Sequence, residues 1–238
     1  GGVGKCATFS ALIPKLKEKS EIQIYTPYIG CFANNPDVKL VLEQTLPLAD
    51  PRIQASDNIF YCEPYKSNFQ FGKQHIIESY CELNGVKYDK SMLPKLYTEH
   101  HSKSVKEWLN KNKIDKYIMI QFSGGQPQMG FNFNNQYTNI NPNRNYPNFL
   151  AQQIVNMLIE EYPNTSIINC VLPNEPHYDG TIRCDLHWTQ LHEMMKNATG
   201  FVAIDSCLNH FSPSTNKAGV VIWGSTRWTQ FGYSHNKN

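Results

Sequence analysis

Alternating strand and helix patterns run twice through this chain, and they constrain its fold more than any other feature. In the second run, apolar strand patterns at 116–125 and 200–206 are separated by amphipathic helical patterns, of which 145–163 is the longest. Strands that alternate with helices pair in parallel through crossover helices, so the pattern predicts an α/β fold. Its repetition predicts two Rossmann-like domains, 1–114 and 115–238, facing each other across a cleft.

The first run is less regular than the second. We expect the N-terminal domain to lack its first strand, because the sequence opens directly on a glycine-rich turn, and a segment after residue 238 is also expected. The pattern predicts helices at 7–19, 35–44, 72–85 and 97–113, and strands at 21–28 and 58–65.

Charge and hydropathy exclude several classes of partner. The net charge is +2 and only 18% of residues are charged, so the chain lacks the basic track expected of a nucleic-acid-binding protein. No run of eighteen apolar residues is present, so we expect no transmembrane segment.

The cysteines point to a reducing compartment. There are 7 of them, widely spaced and without a C-x-x-C pair, a pattern that fits neither a zinc site nor a disulfide framework. We expect reduced, mostly buried thiols in a cytoplasmic protein. No metal site is expected.

The opening stretch GGVGK resembles the end of a phosphate-binding P-loop. Cys6, however, occupies the position of the hydroxyl that would bind Mg²⁺, and Thr8 lies too far along the helix to replace it. Gly2 and Gly4 would still let the chain turn tightly into a helix whose N-terminal end attracts an anion. The stretch therefore favours acceptor or phosphate binding over ATP hydrolysis.

A second motif, AIDSCLNH, lies in the C-terminal half. It places Asp205 and Ser206 at the end of an apolar strand and His210 one helical turn further on. A carboxylate and a hydroxyl at this edge suit a ribose or sugar, and the helix that follows suits a pyrophosphate. The next strand pattern ends in a small-residue turn at 223–226.

This pattern resembles the C-terminal half of the heptosyltransferase-type glycosyltransferases, which have the two-domain GT-B fold. The resemblance is firm for 117–228 and loose for 1–115. Further matches are the QFSGG, RNYP and LPNEP segments at 121–125, 144–147 and 172–176.

The resemblance implies transfer of a sugar from a nucleotide-diphosphate sugar to an acceptor hydroxyl, without a metal or a resident cofactor. The implied donor-binding residues are Ser123, Gly124, Gly125, Arg144, Glu175, Asp205, Ser206 and His210. The residues implied in catalysis are Lys5, Arg144 and Asp205. The implied acceptor-binding residues are Gly2, Gly4 and Lys5, with stacking from tyrosines such as Tyr28 or Tyr65.

Two residues depart from the family pattern. Cys207 replaces the glycine that follows Asp-Ser in the family, which narrows the space beside the diphosphate. Lys5 occupies the position where many members carry an aspartate thought to be the catalytic base, so we expect Lys5 to hold an acidic acceptor instead. Candidates for the base are Glu63, His177 and Asp179, and the sequence does not choose among them.

The family context implies a saccharide acceptor of the lipopolysaccharide type, with a lipid-linked form and contact with the inner face of the membrane as possibilities. Nucleic acid is not expected as a partner. Three alternatives stay open: a GT-B sugar-nucleotide epimerase, a non-catalytic nucleotide-sugar-binding protein and, least favoured, a P-loop ATPase.

Overall fold

The computed structural model describes residues 2–43, 46–47, 49–60, 62–66, 68–124, 145–172, 175–234 and 236. Two compact units make up the chain, Gly1–His100 and His101–Asn238. The predicted boundary at residue 114, and the assignment of acceptor and donor to separate domains, stay predictions. No helix among the described residues is long and apolar enough to cross a bilayer.

The first unit carries a small parallel sheet and several short helices. Its strands, β1 (Ile22–Tyr25) and β2 (Val38–Leu42), pair in parallel. Its α-helices are α1 (Val3–Phe9), α2 (Ile13–Lys17), α3 (Pro51–Gln54) and α4 (Ile76–Leu83). Short 3₁₀ helices lie at Ser10–Leu12, Ile29–Cys31, Pro64–Lys66 and Asn68–Phe71, and another, Glu99–His101, spans the boundary between the units.

Two sequence predictions for this unit are wrong. The segment 35–44 is not a helix but contains β2, because the Asn35 side chain accepts a hydrogen bond from the Asp37 N–H (2.9 Å) in a turn that leads into the strand. The valines of this segment also favour an extended backbone. No strand forms among the described residues of 58–65, where Pro64 begins a 3₁₀ helix instead.

The second unit is built on a five-stranded, all-parallel sheet with the strand order β5-β4-β3-β6-β7. The strands are β3 (Tyr117–Gln121), β4 (Ser166–Cys170), β5 (Ile182–Cys184), β6 (Gly200–Ile204) and β7 (Gly219–Ile222). The helices are α5 (Ser102–Lys111), α6 (Asn148–Glu161), α7 (Trp188–Met195), α8 (Cys207–Thr215) and α9 (Trp228–Phe231). The predicted α/β fold with parallel sheets is confirmed.

The central strand β3 shows why the strands of this half could be predicted from the sequence. Its first four residues are all buried, as expected for the middle of a parallel sheet with helices on both faces. Ile120 packs on one face with Ala151 and Val155 of α6. From the other face the Tyr117 hydroxyl donates to the Met194 carbonyl of α7 (2.7 Å). The sheet is thus fixed from both sides.

A glycine marks the tightest packing between β6 and β7. We expect Gly219→Ala to destabilise the protein by about 1–3 kcal/mol, because the new Cβ would lie 2.6 Å from the Phe201 carbonyl oxygen and even closer to its ring. For a chain of this length, each kcal/mol lowers the melting temperature by roughly 2–4 °C.

The matched control for that substitution is Gly200→Ala, at the start of the neighbouring strand. There the nearest atom to a new Cβ would be the Ala218 carbonyl oxygen at 3.4 Å, so the melting temperature should change little. Equal melting temperatures for the two variants would contradict the packing argument.

Candidate functional site

The strand order of the second unit creates one natural ligand crevice. From β3 the chain proceeds through β4 and β5 on one side and then continues with β6 and β7 on the other side. The order therefore reverses between β3 and β6, and ligands of open α/β sheets bind outside the carboxyl ends of strands at such a reversal. Gln121 ends β3 at this place, and Asp205 directly follows β6.

Asp205 is held by the helix that follows it. The side chain is buried, and its Oδ1 lies 3.5 Å from His210 Nε2 and accepts from Asn209 Nδ2 (3.4 Å). Asn209 also donates to the Phe231 carbonyl (3.0 Å), and His210 Nδ1 lies 3.2 Å from the Tyr233 hydroxyl. The carboxylate and the imidazole that the sequence placed together are thus in contact and fixed by the C-terminal segment.

Ser206 is the N-cap residue of α8 but does not cap it with its side chain. The hydroxyl instead donates to Gln121 Oε1 at 2.6 Å, which ties the start of α8 to the end of β3. The first turn of α8 therefore receives no hydrogen bond from Ser206, and its backbone N–H groups and positive dipole end suit an anion such as a diphosphate.

Gln121 is a site residue that sequence reasoning missed. Its Oε1 also accepts from the Cys207 thiol (3.4 Å), so one amide oxygen holds two residues at the N-terminus of α8. The available signal was a polar side chain at the last position of an otherwise apolar strand.

Ser123 and Gly124 follow β3 closely. Ser123 is buried, and a Cβ on Gly124 would lie 2.9 Å from Ile204 Cδ1 and 3.7 Å from the Asp205 carbonyl oxygen. The Gly124 N–H donates to Asn145 Oδ1 (3.1 Å), a second contact that the sequence did not reveal. The ends of β3 and β6 are therefore packed directly together. The predicted site residues Gly125 and Arg144 lie outside the described residues.

Glu175 lies on the segment after β4. Its Oε2 accepts from the Leu172 N–H at 2.7 Å. Burial raises the pKa of Glu175, while that hydrogen bond and the charge of Arg183 oppose the increase.

Cys207 lies within electrostatic reach of Glu175. Burial is the main cause that raises the pKa of Cys207 to about 11, and the negative charge of Glu175 adds to it, against the opposing hydrogen bond to Gln121. The Cys207 thiol is therefore neutral near pH 7, and the residue that departs from the family pattern adds no negative charge beside the helix terminus.

A small pocket lies at the carboxyl ends of β6 and β7. The turn at 223–226, which the sequence predicted after the last strand, forms one wall of it. The residues that line the pocket are Ile204, Asp205, Ile222, Gly224, Ser225 and Thr226. Hydroxyls and small residues thus adjoin the buried carboxylate.

The opening stretch enters α1 as predicted, with Gly2 as its N-cap residue in an extended conformation. Lys5 in the first turn pairs with Glu63, its Nζ lying 3.2 and 3.3 Å from the two carboxylate oxygens. The same Nζ lies 4.1 Å from the centroid of the exposed Tyr65 ring. The Thr8 hydroxyl donates to the Gly4 carbonyl (2.7 Å) within the helix. Lys5 therefore already has an anionic partner.

The candidates for the catalytic base occupy different places. Glu63 adjoins Lys5 in the first unit. His177 and Asp179 are exposed on the segment between β4 and β5, where His177 Nδ1 lies 3.4 Å from Thr181 Oγ1 and the Asp179 N–H donates to Gln152 Oε1 (2.8 Å). Among the described residues, no group of three or more His, Cys, Asp or Glu is arranged to hold a metal ion.

Comparison with solved structures shows the same fold in known glycosyltransferases. A glycosyl transferase family 9 protein from Veillonella parvula DSM 2008 matches with a TM-score of 0.67 at 12% identity, over 99% of this chain and 83% of that one. The ADP-heptose lps heptosyltransferase II of E. coli matches with a TM-score of 0.66 at 12% identity, over 100% of this chain and 86% of that one.

A third match extends the comparison. It is the iron-containing, dodecameric heptosyltransferase TibC, which was solved with ADP-D-beta-D-heptose. The TM-score is 0.58 at 11% identity, and the match covers 99% of this chain and 60% of the TibC chain. No family model and no curated protein sequence matches this chain. The predicted resemblance is confirmed in the fold, which is that of the heptosyltransferase-type glycosyltransferases along nearly the whole chain.

Proposed function

We propose that this protein is a glycosyltransferase that moves a sugar from a nucleotide-diphosphate sugar to an acceptor hydroxyl. The observation that carries the proposal is the meeting of Asp205, Ser206 and Gly124 at the point where the order of the parallel sheet reverses. The match to heptosyltransferase structures over nearly the whole chain supports it, since two of those proteins are named for, or were solved with, ADP-heptose.

The donor would lie against the second unit. Its diphosphate would accept hydrogen bonds from the first turn of α8 and from the backbone at Ser123 to Gly125, with Arg144 supplying positive charge. Glu175 and Asp205 would accept hydrogen bonds from ribose or sugar hydroxyls, with His210 steadying Asp205. The donor is a substrate, so the proposal includes no resident cofactor and no metal.

The acceptor would lie in the first unit, near Gly2, Gly4 and Lys5. We propose a saccharide of the lipopolysaccharide type, and a lipid-linked form of it would bring the protein to the inner face of the membrane from the cytoplasm. Heptose is the first choice for the transferred sugar and a hexose the second. Nucleic acid remains disfavoured by the weak net charge.

Calorimetry followed by a turnover assay tests the proposal. Titration with ADP-, UDP- and GDP-sugars should give saturable binding of at least one of them, and that donor should be consumed when a lipopolysaccharide core acceptor is added. Saturable ATP hydrolysis without sugar-nucleotide binding would restore the P-loop interpretation. Binding without turnover would favour the non-catalytic alternative, and conversion of the donor sugar without an acceptor would favour the epimerase.

The raised pKa of Glu175 predicts a pH dependence of donor binding. A ribose hydroxyl donates best to an ionised carboxylate, so donor affinity should fall as the pH decreases through the pKa of Glu175, which lies above its usual value because of burial. The Glu175→Gln variant should bind the donor more weakly than the wild type near pH 7. Its donor affinity should not show the decrease at low pH that protonation of Glu175 causes.

The affinities of the wild type and of Glu175→Gln are compared at each pH. Because both proteins bind the same ligand, the effect of the ligand's own phosphate titration on affinity cancels in this comparison. Calorimetric titrations that extend upward from the ordinary Glu pKa of about 4.3 cover the direction in which burial shifts this group. Parallel pH profiles for the two proteins would contradict the assigned role.

A further inference from the structure

Gln121 lies at the carboxyl end of β3, on the face of the sheet where α7 packs. Side chains alternate along a strand, so Gln121 points to the same face as Tyr117, whose hydroxyl donates to the Met194 carbonyl of α7. Ile120 points to the opposite face, where it packs with residues of α6. Gln121 is half-buried, whereas the four residues before it in β3 are buried. Its amide therefore lies at the edge of the sheet, where α8 begins.

The hydrogen bonds of Gln121 fix the orientation of its amide. Oε1 accepts from the Ser206 hydroxyl at 2.6 Å and from the Cys207 thiol at 3.4 Å. The 2.6 Å separation suits an O–H···O bond, because N–H···O bonds are usually about 2.9–3.0 Å long. The oxygen of the amide therefore faces the N-terminus of α8, and the nitrogen occupies the other branch of the amide.

The amide nitrogen of Gln121 is left for a ligand. Among the residues that the structure describes, none accepts a hydrogen bond from Gln121 Nε2. The nitrogen is also not one of the fully buried polar atoms without a partner, so solvent reaches it. A side-chain amide nitrogen carries two donor hydrogens. Two hydrogen-bond donors are therefore accessible beside the N-terminus of α8.

The first turn of α8 attracts an anion to the same place. Ser206 gives its hydroxyl hydrogen to Gln121 and does not cap the helix with its side chain. The backbone N–H groups of that turn and the positive end of the helix dipole favour negative charge. Because Gln121 contacts both Ser206 and Cys207, an anion held by this turn would lie beside the Gln121 amide.

We propose that Gln121 binds the diphosphate of the sugar-nucleotide donor through Nε2, while its Oε1 holds the N-terminus of α8. The inference rests on the proposed function and adds a donor-binding residue to it. One amide would fix the helix terminus and also contact the ligand that this terminus attracts. The hydrogen-bond donors are then oriented before the ligand arrives, which lowers the entropic cost of binding.

Calorimetry with ADP, UDP and GDP tests the proposal on the whole protein. The nucleoside diphosphate that the wild type binds should bind at least about tenfold more weakly to Gln121→Glu, because an ionised carboxylate has no hydrogen to donate and repels a phosphate. The carboxylate still accepts from Ser206 and Cys207, so the melting temperature should stay close to that of the wild type. Gln121→Met has neither the acceptor nor the donor and should lose both affinity and melting temperature.

Gln153→Glu is the matched control, because it adds the same charge at an exposed position of α6 in the same unit and should bind like the wild type. Unchanged affinity in either Gln121 variant would overturn the contact and leave the proposed function standing. An equal loss in Gln153→Glu would also overturn it, since the charge alone would then explain the effect. A wild type that binds none of the three diphosphates would overturn the proposed function and this inference with it.

Discussion

Asp205→Asn is expected to weaken binding of the sugar-nucleotide donor by about 10–150-fold, the range that a charge-assisted hydrogen bond of roughly 1.5–3 kcal/mol implies. Asparagine keeps the shape of the side chain but removes the charge that ribose or sugar hydroxyls would use. Calorimetric titration with the donor identified for the wild type measures the loss directly.

The loss of donor affinity in Asp205→Asn should exceed the loss caused by removing another carboxylate at the same edge of the sheet. Asp185 follows β5 as Asp205 follows β6, yet it is exposed, so Asp185→Asn is a matched control that should bind the donor as the wild type does. Because Asp205 also contacts Asn209 and His210, melting temperatures must accompany the titrations. A folded Asp205→Asn protein with unchanged affinity would exclude this carboxylate from the donor site.

The second unit could be largely predicted because the central strands of its sheet, β3, β4 and β6, are mostly buried. Such strands appear in the sequence as continuous apolar runs, as in β3, and their carboxyl ends are followed by polar and small residues. The placement of Asp205 after β6 and of Ser206 before α8 required only this rule. The strand β5 was missed because it has only three residues, one of them Arg183.

The strands and helices of the first unit were predicted less well, because local sequence patterns there favour different structures. Asn35 followed by proline predicts a helix start, but the side chain of Asn35 forms a turn into β2 instead. The aromatic segment 58–65 has the composition of a strand, but no strand forms among its described residues, and Glu63 instead pairs with Lys5. Contacts between residues more than fifty positions apart cannot be derived from spacing in a single sequence.

The Lys5–Glu63 pair leads to the second large expected effect. If Lys5 holds an acidic acceptor, Glu63 competes with that acceptor for the same ammonium group, 3.2 Å away. Lys5→Ala should then raise the acceptor KM about 10-fold or more, as expected for loss of a charge-assisted contact, with little change in the donor KM. Glu63→Gln should lower the acceptor KM, because it releases Lys5. Both effects should fade at high salt, since one side of the pair is open to solvent.

The opposite signs of the two expected effects on the acceptor KM distinguish acceptor binding by Lys5 from other roles of the Lys5–Glu63 pair. A purely structural ion pair would lower the melting temperature in both variants and leave the ratio of acceptor KM to donor KM unchanged. A catalytic Glu63 would lose kcat on conversion to glutamine while the acceptor KM stayed constant. The exposed Lys15–Glu18 pair of similar charge serves as the control, and Lys15→Ala should change neither constant. Only an acceptor that competes with Glu63 for Lys5 would bind more weakly to Lys5→Ala and more tightly to Glu63→Gln.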